Sequence, residues 1–361
     1  MRKRPLIVTI EQVDDFDQVI DVRSPSEYAL DHVPGSVNCP VLDDEERARV
    51  GTLYTQVSPF DARKLGAALV ARNIARHIET RFIAHERQWR PLVYCWRGGQ
   101  RSAAMAHVLR EIGWNAAQLQ GGYKSYRRDV MAQLQALPRH FDYRVVCGAT
   151  GSAKSRLLER LASRGAQVLD LERLARHRGS VLGNLPGDPQ PSQRLFDSLL
   201  WDRLRKFDGA QPVFVEAESK KIGQLQVPSA LLERMREGRC IVVRASVPER
   251  VRFLIEEYRH FLDDPMELKA RIECLTGLHG NDVIRRWAAL VDTGSWDELV
   301  TDLLLDHYDP AYRRSTLRNY PDLSDARVLF VERLSPDGID AAAGELISSM
   351  FKESAHALTG S

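Results

Sequence analysis

Twice in this chain a short apolar run stops at a cysteine, enters a glycine-bearing loop and continues as a helix. The first run is Pro91-Leu92-Val93-Tyr94-Cys95, followed by Trp96-Arg97-Gly98-Gly99-Gln100-Arg101-Ser102. Met105, Val108, Leu109 and Ile112 then recur at helical spacing, with Ser102 as N-cap and Gly113 as stop. The second run is Tyr143-Arg144-Val145-Val146-Cys147, followed by Gly148-Ala149-Thr150-Gly151-Ser152-Ala153-Lys154-Ser155 and a helix that Gly165 stops. Unbroken apolar runs of this length fit strands buried on both faces, each with a helix that returns the chain across the sheet. Further short strands at residues 6–10, 19–22, 37–41, 118–119, 167–171 and 213–216 extend the alternation. The expected fold class is α/β with parallel sheets.

A chain of 361 residues suggests two domains of ordinary size. The end of a helix at Leu137-Pro138 sets the expected boundary. Residues 1–137 would form one domain and residues 138–361 the other, with a helical appendage at about 248–310. Residues 43–51 read as a charged turn or short helix, and residues 64–90 as a long helical region with a solvated face. The formal net charge is only +2, which excludes a bulk-basic nucleic-acid module and leaves any RNA site to a local patch. Cysteines 39, 95, 147, 240 and 274 are dispersed and show no CxxC, as expected of reduced thiols in the cytoplasm. The basic start meets EQVDD too soon for a signal peptide, and no run approaches the ~18 apolar residues a membrane helix needs.

The chemistry is expected at two places. Cys95 leaves a strand end into a loop that Gly98 and Gly99 allow to turn tightly, facing a helix N-terminus. Loop N–H groups, the helix dipole, Arg97 and Arg101 would favour the thiolate, a nucleophile, over the thiol. The plainer reading is an inert, packed cysteine. In the second loop Gly148, Gly151, Ser152, Lys154 and Ser155 form a phosphate-binding P-loop pattern in the context it requires, between a strand and a helix. Lys154 would reach phosphate oxygens and Ser155 a Mg²⁺ ion, while Ala153 stands where the usual pattern has glycine. Candidate acids are Asp170, Glu216 and Glu218, the last two at a strand end that suits Mg²⁺ held through water. Arg176, His177 and Arg178 are a candidate RNA or phosphate contact, against the alternative of a solvated helix turn.

Asp21, Arg23, Glu27, His32, Pro34, Gly35 and Ser36 match the first half of a rhodanese domain, which the N-terminal domain resembles. Rhodaneses carry sulfur or selenium on the loop cysteine, here Cys95. Their common loop has four residues between Cys and Arg, whereas here there are five, Trp96 to Gln100. A Cys-x5-Arg loop also occurs in cysteine phosphatases, where it cradles a tetrahedral phosphate. A rhodanese domain followed by a P-loop domain resembles the tRNA 2-selenouridine synthase family, and ERARVGTLY, CWRGGQRS, GGYKS, LDLERLARHRGS, ESKKIG, EEYR and HYDPAY look like that family.

The resemblance implies a tRNA substrate carrying 2-thiouridine at the wobble position. It implies selenophosphate as selenium donor and an S-geranyl intermediate made from geranyl diphosphate. A selenophosphate-supplying enzyme would be a partner, and ATP at the P-loop stays open beside diphosphate. The alternative is a generic rhodanese-type sulfurtransferase with a regulatory nucleotide-binding domain. A cysteine phosphoesterase and a non-catalytic RNA-binding module are further readings.

Overall fold

The structure is a computed structural model that describes residues 6–177, 188–259, 264–320, 323 and 326–359. The chain divides into two compact units, Met1–Leu134 with Pro191–Asp202, and Gln135–Gln190 with Arg203–Ser361.

In the first unit, strands β1 (Ile7–Val8), β2 (Gln18–Asp21), β3 (Val37–Asn38), β4 (Pro91–Tyr94) and β5 (Ala117–Leu119) form a parallel sheet in the order β1-β5-β4-β2-β3. β4 is the central strand and all four of its residues are buried. Its carboxyl end therefore delivers Cys95 to the sheet edge where α/β folds bind ligands. The following helix, Gln100–Ile112, buries Met105, Ala106 and Leu109 and ends at Gly113, whose φ of 111° suits glycine. Its N-cap is Gly99 rather than Ser102, which lies in the first turn with its side chain buried. Helices Asp44–Gln56 and Pro59–His77 lie between β3 and β4 in the chain. Both begin where capping chemistry directs, at an Asp43–Glu46 capping box and at Ser58 before Pro59. The second therefore starts ahead of residue 64, and a turn of π-helix, Ile78–Phe82, ends the helical run before residue 90.

Helix Gln193–Leu204 contributes residues to this unit although it follows the expected boundary at 138 by more than fifty residues. Phe196, Leu200 and Trp201 are buried, the Trp201 indole donates to Gln133 Oε1 at 2.8 Å, and Arg127 pairs with Asp197 at 2.5 Å. Its apolar face is visible in the sequence. Which sheet that face covers is a long-range outcome.

In the second unit, β6 (Tyr143–Cys147), β7 (Gln167–Leu169), β8 (Val213–Glu216), β11 (Arg239–Arg244) and β12 (Arg327–Phe330) form a parallel sheet in the order β12-β11-β6-β8-β7. A separate antiparallel pair joins β9 (Lys221–Ile222) and β10 (Leu225–Gln226). β6 is central, so the P-loop also leaves the middle of a sheet at its carboxyl end. Helix Lys154–Ser163 packs Leu157, Leu158 and Leu161 into a core shared with Val146, Phe214 and Ile241. Among the described residues of 248–310 the chain is mostly helical, and Pro265–Glu273, Thr276–Thr293 and Trp296–Asp302 close around the fully buried Trp287. No helix among the described residues is long and apolar enough to cross a membrane.

Candidate functional site

Cys95 Sγ receives two hydrogen bonds, from the Gly99 backbone N–H at 3.3 Å and the Ser102 hydroxyl at 3.1 Å. Gln118 Nε2 donates to Ser102 Oγ at 2.8 Å and so holds that hydroxyl in place. The cysteine is only 3% exposed, but Trp96, Arg97, Gly99 and Gln100 around it are exposed. The sulfur is thus the floor of a loop whose rim meets solvent. Two donors at the mouth of a helix are the arrangement that solvates an anion on sulfur.

The loop is held from behind by Gly121-Gly122-Tyr123-Lys124. Tyr123 N donates to Cys95 O at 2.8 Å and Lys124 N to Trp96 O at 2.9 Å, while Gln118 Nε2 also donates to Gly98 O at 2.7 Å. Gly122 has φ +58°, and a Cβ there would lie 2.2 Å from Cys95 O. The Trp96 ring stacks on Tyr123 at 5.1 Å, and Tyr123 in turn donates to the buried Asp31 carboxylate at 2.8 Å. Asp21 and Arg23, from the rhodanese motif, form a buried ion pair at 2.6 Å, with the guanidinium 4.0 Å from the Tyr123 ring centre. The pair thus sits against Tyr123, the residue that stacks on Trp96 of the loop.

The two loop arginines part company. Arg101 pairs with Glu27 at 3.2 Å, a carboxylate that also binds Arg47 at 3.0 Å. Arg97 is exposed and is the more open of the two cations for an incoming anion.

In the second unit the P-loop surrounds part of a cavity of about 640 Å³. Lys154 Nζ donates to Gly148 O at 2.9 Å and pairs with Glu216 at 3.3 Å. Burial alone would lower its pKa, but Glu216, Tyr312 and Glu172 outweigh burial and hold the ammonium above its ordinary range. Gly148 N–H donates to the Tyr312 hydroxyl oxygen at 2.6 Å. Ala153 has φ 59°, which explains why this position favours glycine. The alanine bears a left-handed strain of about 1 kcal/mol and joins the core cluster with Leu157 and Phe214.

Ser155 Oγ donates to Glu172 and Glu216, each at 3.2 Å, and Glu172, Glu216 and Glu218 bring one carboxylate oxygen each within 4.8 Å of one another. Burial first, then the charge of Glu216, push Glu172 up to about 9 and Glu218 up to about 8. A hydroxyl and three crowded carboxylates suit a hard divalent cation, which relieves that repulsion. Raised carboxyl pKa values mean the folded chain keeps protons that the unfolded chain has released. Metal-free stability should therefore fall as pH rises from about 6 to about 9. Melting in EDTA across that range should show a falling Tm, and millimolar Mg²⁺ should flatten the fall. A Tm independent of pH in EDTA would contradict it.

Other expected residues are distributed unevenly. Asp170, raised by burial, lines the cavity but caps a short helix by accepting from Arg173 N at 2.9 Å. His177 lines the same cavity, and burial holds its imidazole below the ordinary range. Arg176 pairs with Asp188 at 3.0 Å. Arg178 lies outside the described residues. Gly151, Ser152 and Ser155 stand on the loop as expected. Sequence reasoning missed Ser102 as a sulfur ligand and Gln118 as its support. The signal available for Ser102 was its place directly after Arg101. Glu172 carried no signal beyond its proximity to Asp170.

Fold and loops together define a rhodanese-like domain followed by a P-loop domain. A family model described as a rhodanese-like domain matches residues 9–129, and one described as the tRNA 2-selenouridine synthase AAA domain matches residues 141–278. The chain belongs to the tRNA 2-selenouridine synthase family. The tRNA 2-selenouridine synthase of Alcanivorax borkumensis is 34% identical over 81% of this chain and 88% of its own length. That of Nitrosomonas europaea is 37% identical over 66% of this chain and 63% of its own length. A solved rhodanese-related protein from Thermoplasma volcanium aligns at 20% identity over 34% of this chain and 90% of that chain, with a TM-score of 0.22.

Proposed function

We propose that this chain replaces the sulfur of 2-thiouridine at the tRNA wobble position with selenium, taking selenium from selenophosphate and passing through S-geranyl-2-thiouridine. The observation that carries the reading is Cys95 Sγ held by Gly99 N–H and the Ser102 hydroxyl in a Cys-x5-Arg loop. The P-loop would seat the diphosphate of geranyl diphosphate. The thiocarbonyl sulfur attacks the first geranyl carbon, a C–S bond forms, and the C–O bond to diphosphate breaks. Lys154 and the loop N–H groups receive the departing charge. Ser155, Glu172, Glu216 and Glu218 would hold a magnesium ion that supplies further charge neutralisation to the leaving oxygens.

Alkylation turns a poor leaving group into a good one. Selenophosphate selenium adds to the ring carbon, and geranyl thiolate departs with the C–S electron pair. Selenium is at the selenide level in the donor and in the product, so no redox step is needed. A persulfide-type adduct formed directly from selenophosphate would need an oxidant. Cys95 instead acts at phosphorus: its thiolate attacks, an S–P bond forms, the P–Se bond breaks and the selenium keeps the electron pair. Water then releases phosphate and restores the thiol. The five-residue loop spacing suits that tetrahedral group, and Arg97 would meet its oxygens.

The test is mass spectrometry of tRNA nucleosides from a deletion strain complemented with this gene. Selenite in the medium should yield 2-selenouridine derivatives, and its omission should yield S-geranylated ones. Failure to form any selenonucleoside would sink the reading and leave the generic sulfurtransferase in its place.

A further inference from the structure

We propose that a second cavity in the P-loop unit, of about 740 Å³, takes the organic group of a diphosphate ester whose phosphates lie on the loop. The inference rests on the reading that the loop binds diphosphate and adds where the rest of the ligand goes. The loop is shared between two cavities. Thr150, Gly151, Lys154 and Ser155 line the first, Gly148, Ala149 and Ser152 line the second, and Tyr312 lines both.

Their chemistry differs. The first holds Lys154 and the carboxylates of Glu172, Glu216 and Glu218, groups that engage phosphate and cation. The second is walled by the carboxyl ends of β11 and β12, with Val243, Ala245, Phe330 and Val331 beside Arg244 and Arg313. The Phe330 ring is 70% exposed, with the Arg244 guanidinium 5.9 Å from its centre. An exposed aromatic ring under a cation, beside the apolar Val243 and Val331, suits an organic group. Ser152, also on this wall, is 1% exposed, and its buried hydroxyl has no hydrogen-bond partner among the described residues. The wall between the cavities is held in place: Arg250 Nε donates to Thr150 O at 2.8 Å, and its two terminal nitrogens bind Asp309 at 3.0 and 2.6 Å. A ligand that uses both cavities carries a diphosphate at one end and an organic group at the other. Isoprenoid and nucleoside diphosphates share that description.

Titration calorimetry with Mg²⁺ would compare inorganic pyrophosphate, geranyl diphosphate and ADP on the wild type, Ala245→Trp and Phe330→Ala. At least one ester should bind the wild type more tightly than pyrophosphate. Its affinity should fall about tenfold or more in Ala245→Trp and severalfold in Phe330→Ala, with pyrophosphate within about twofold of the wild type. Which ester responds identifies the organic group. If Ala245→Trp also loses pyrophosphate, the exposed Phe330→Ala variant decides. Pyrophosphate that fails to bind the wild type removes the diphosphate reading itself. Pyrophosphate that binds as tightly as both esters, or ester binding untouched by Phe330→Ala and Ala245→Trp alike, overturns the cavity assignment and leaves the loop reading standing.

Discussion

Cys95→Ser is expected to lower 2-selenouridine in tRNA by roughly a thousandfold or more while S-geranyl-2-thiouridine still forms and accumulates. The substitution keeps the volume of a side chain that is nearly buried at the end of the central strand. What it removes is a polarisable, nucleophilic sulfur. Among the described residues the side-chain atom at this position meets only Gly99 and the Ser102 hydroxyl, neither of them a base, so a serine hydroxyl there cannot attack phosphorus at a useful rate. Geranyl transfer continues because its proposed residues, Lys154 and Ser155, belong to the other unit. Ser102→Ala should act in the same direction more mildly. Loss of one hydrogen bond to a charged sulfur is worth about 1.5–3 kcal/mol, or about tenfold and upwards in rate, and Ser102→Thr should restore much of it. The measurement is quantitative nucleoside mass spectrometry in selenite-grown cells. Wild-type levels of 2-selenouridine from Cys95→Ser would remove the thiol from the mechanism.

Gly122→Ala is expected to destabilise the first unit by about 3 kcal/mol or more and to stop selenation with Cys95 still present. The added methyl would lie 2.2 Å from Cys95 O and 2.5 Å from Gly98 N. Both are backbone atoms, so no side chain can turn aside. The φ of +58° adds a left-handed penalty of about 1 kcal/mol for any residue with a Cβ. Relief can come only by parting the Gly121-Gly122 turn from the cysteine loop, which breaks the Tyr123 N to Cys95 O bond. Gly99→Ala is the contrast. Its φ is −96° and nothing among the described residues lies within 4 Å of the added methyl, so the effect should stay near the cost of alanine at an N-cap, about 1 kcal/mol. Thermal denaturation of the three proteins checks both statements, and equal melting temperatures for Gly122→Ala and wild type would refute the clamp.

Much of this architecture is written in local signals. The apolar runs ending at Cys95 and Cys147, the glycines after them and the stop at Gly113 specify two strand–loop–helix units because each acts over a few residues. Capping chemistry at Asp43 and Ser58 likewise fixes where two helices begin. The same locality explains the misses. Ser102 reads as an N-cap, yet the helix starts three residues earlier, so Gly99 takes that role and the Ser102 hydroxyl meets the sulfur. Arg101 reads as an anion ligand until Glu27, seventy-four residues earlier, takes it.

The sequence by itself determined the two parallel α/β units, the cysteine loop and the P-loop, since strand burial, glycine turns and helix caps are short-range effects. Only the tertiary structure decided which charges remain open. Pairing Arg101 with Glu27, crowding Glu172 against Glu216 and Glu218, and setting Pro191–Asp202 in the first unit all join segments far apart in the chain. The strength of such charge interactions depends on distance and burial, quantities that exist only once the sheets have formed.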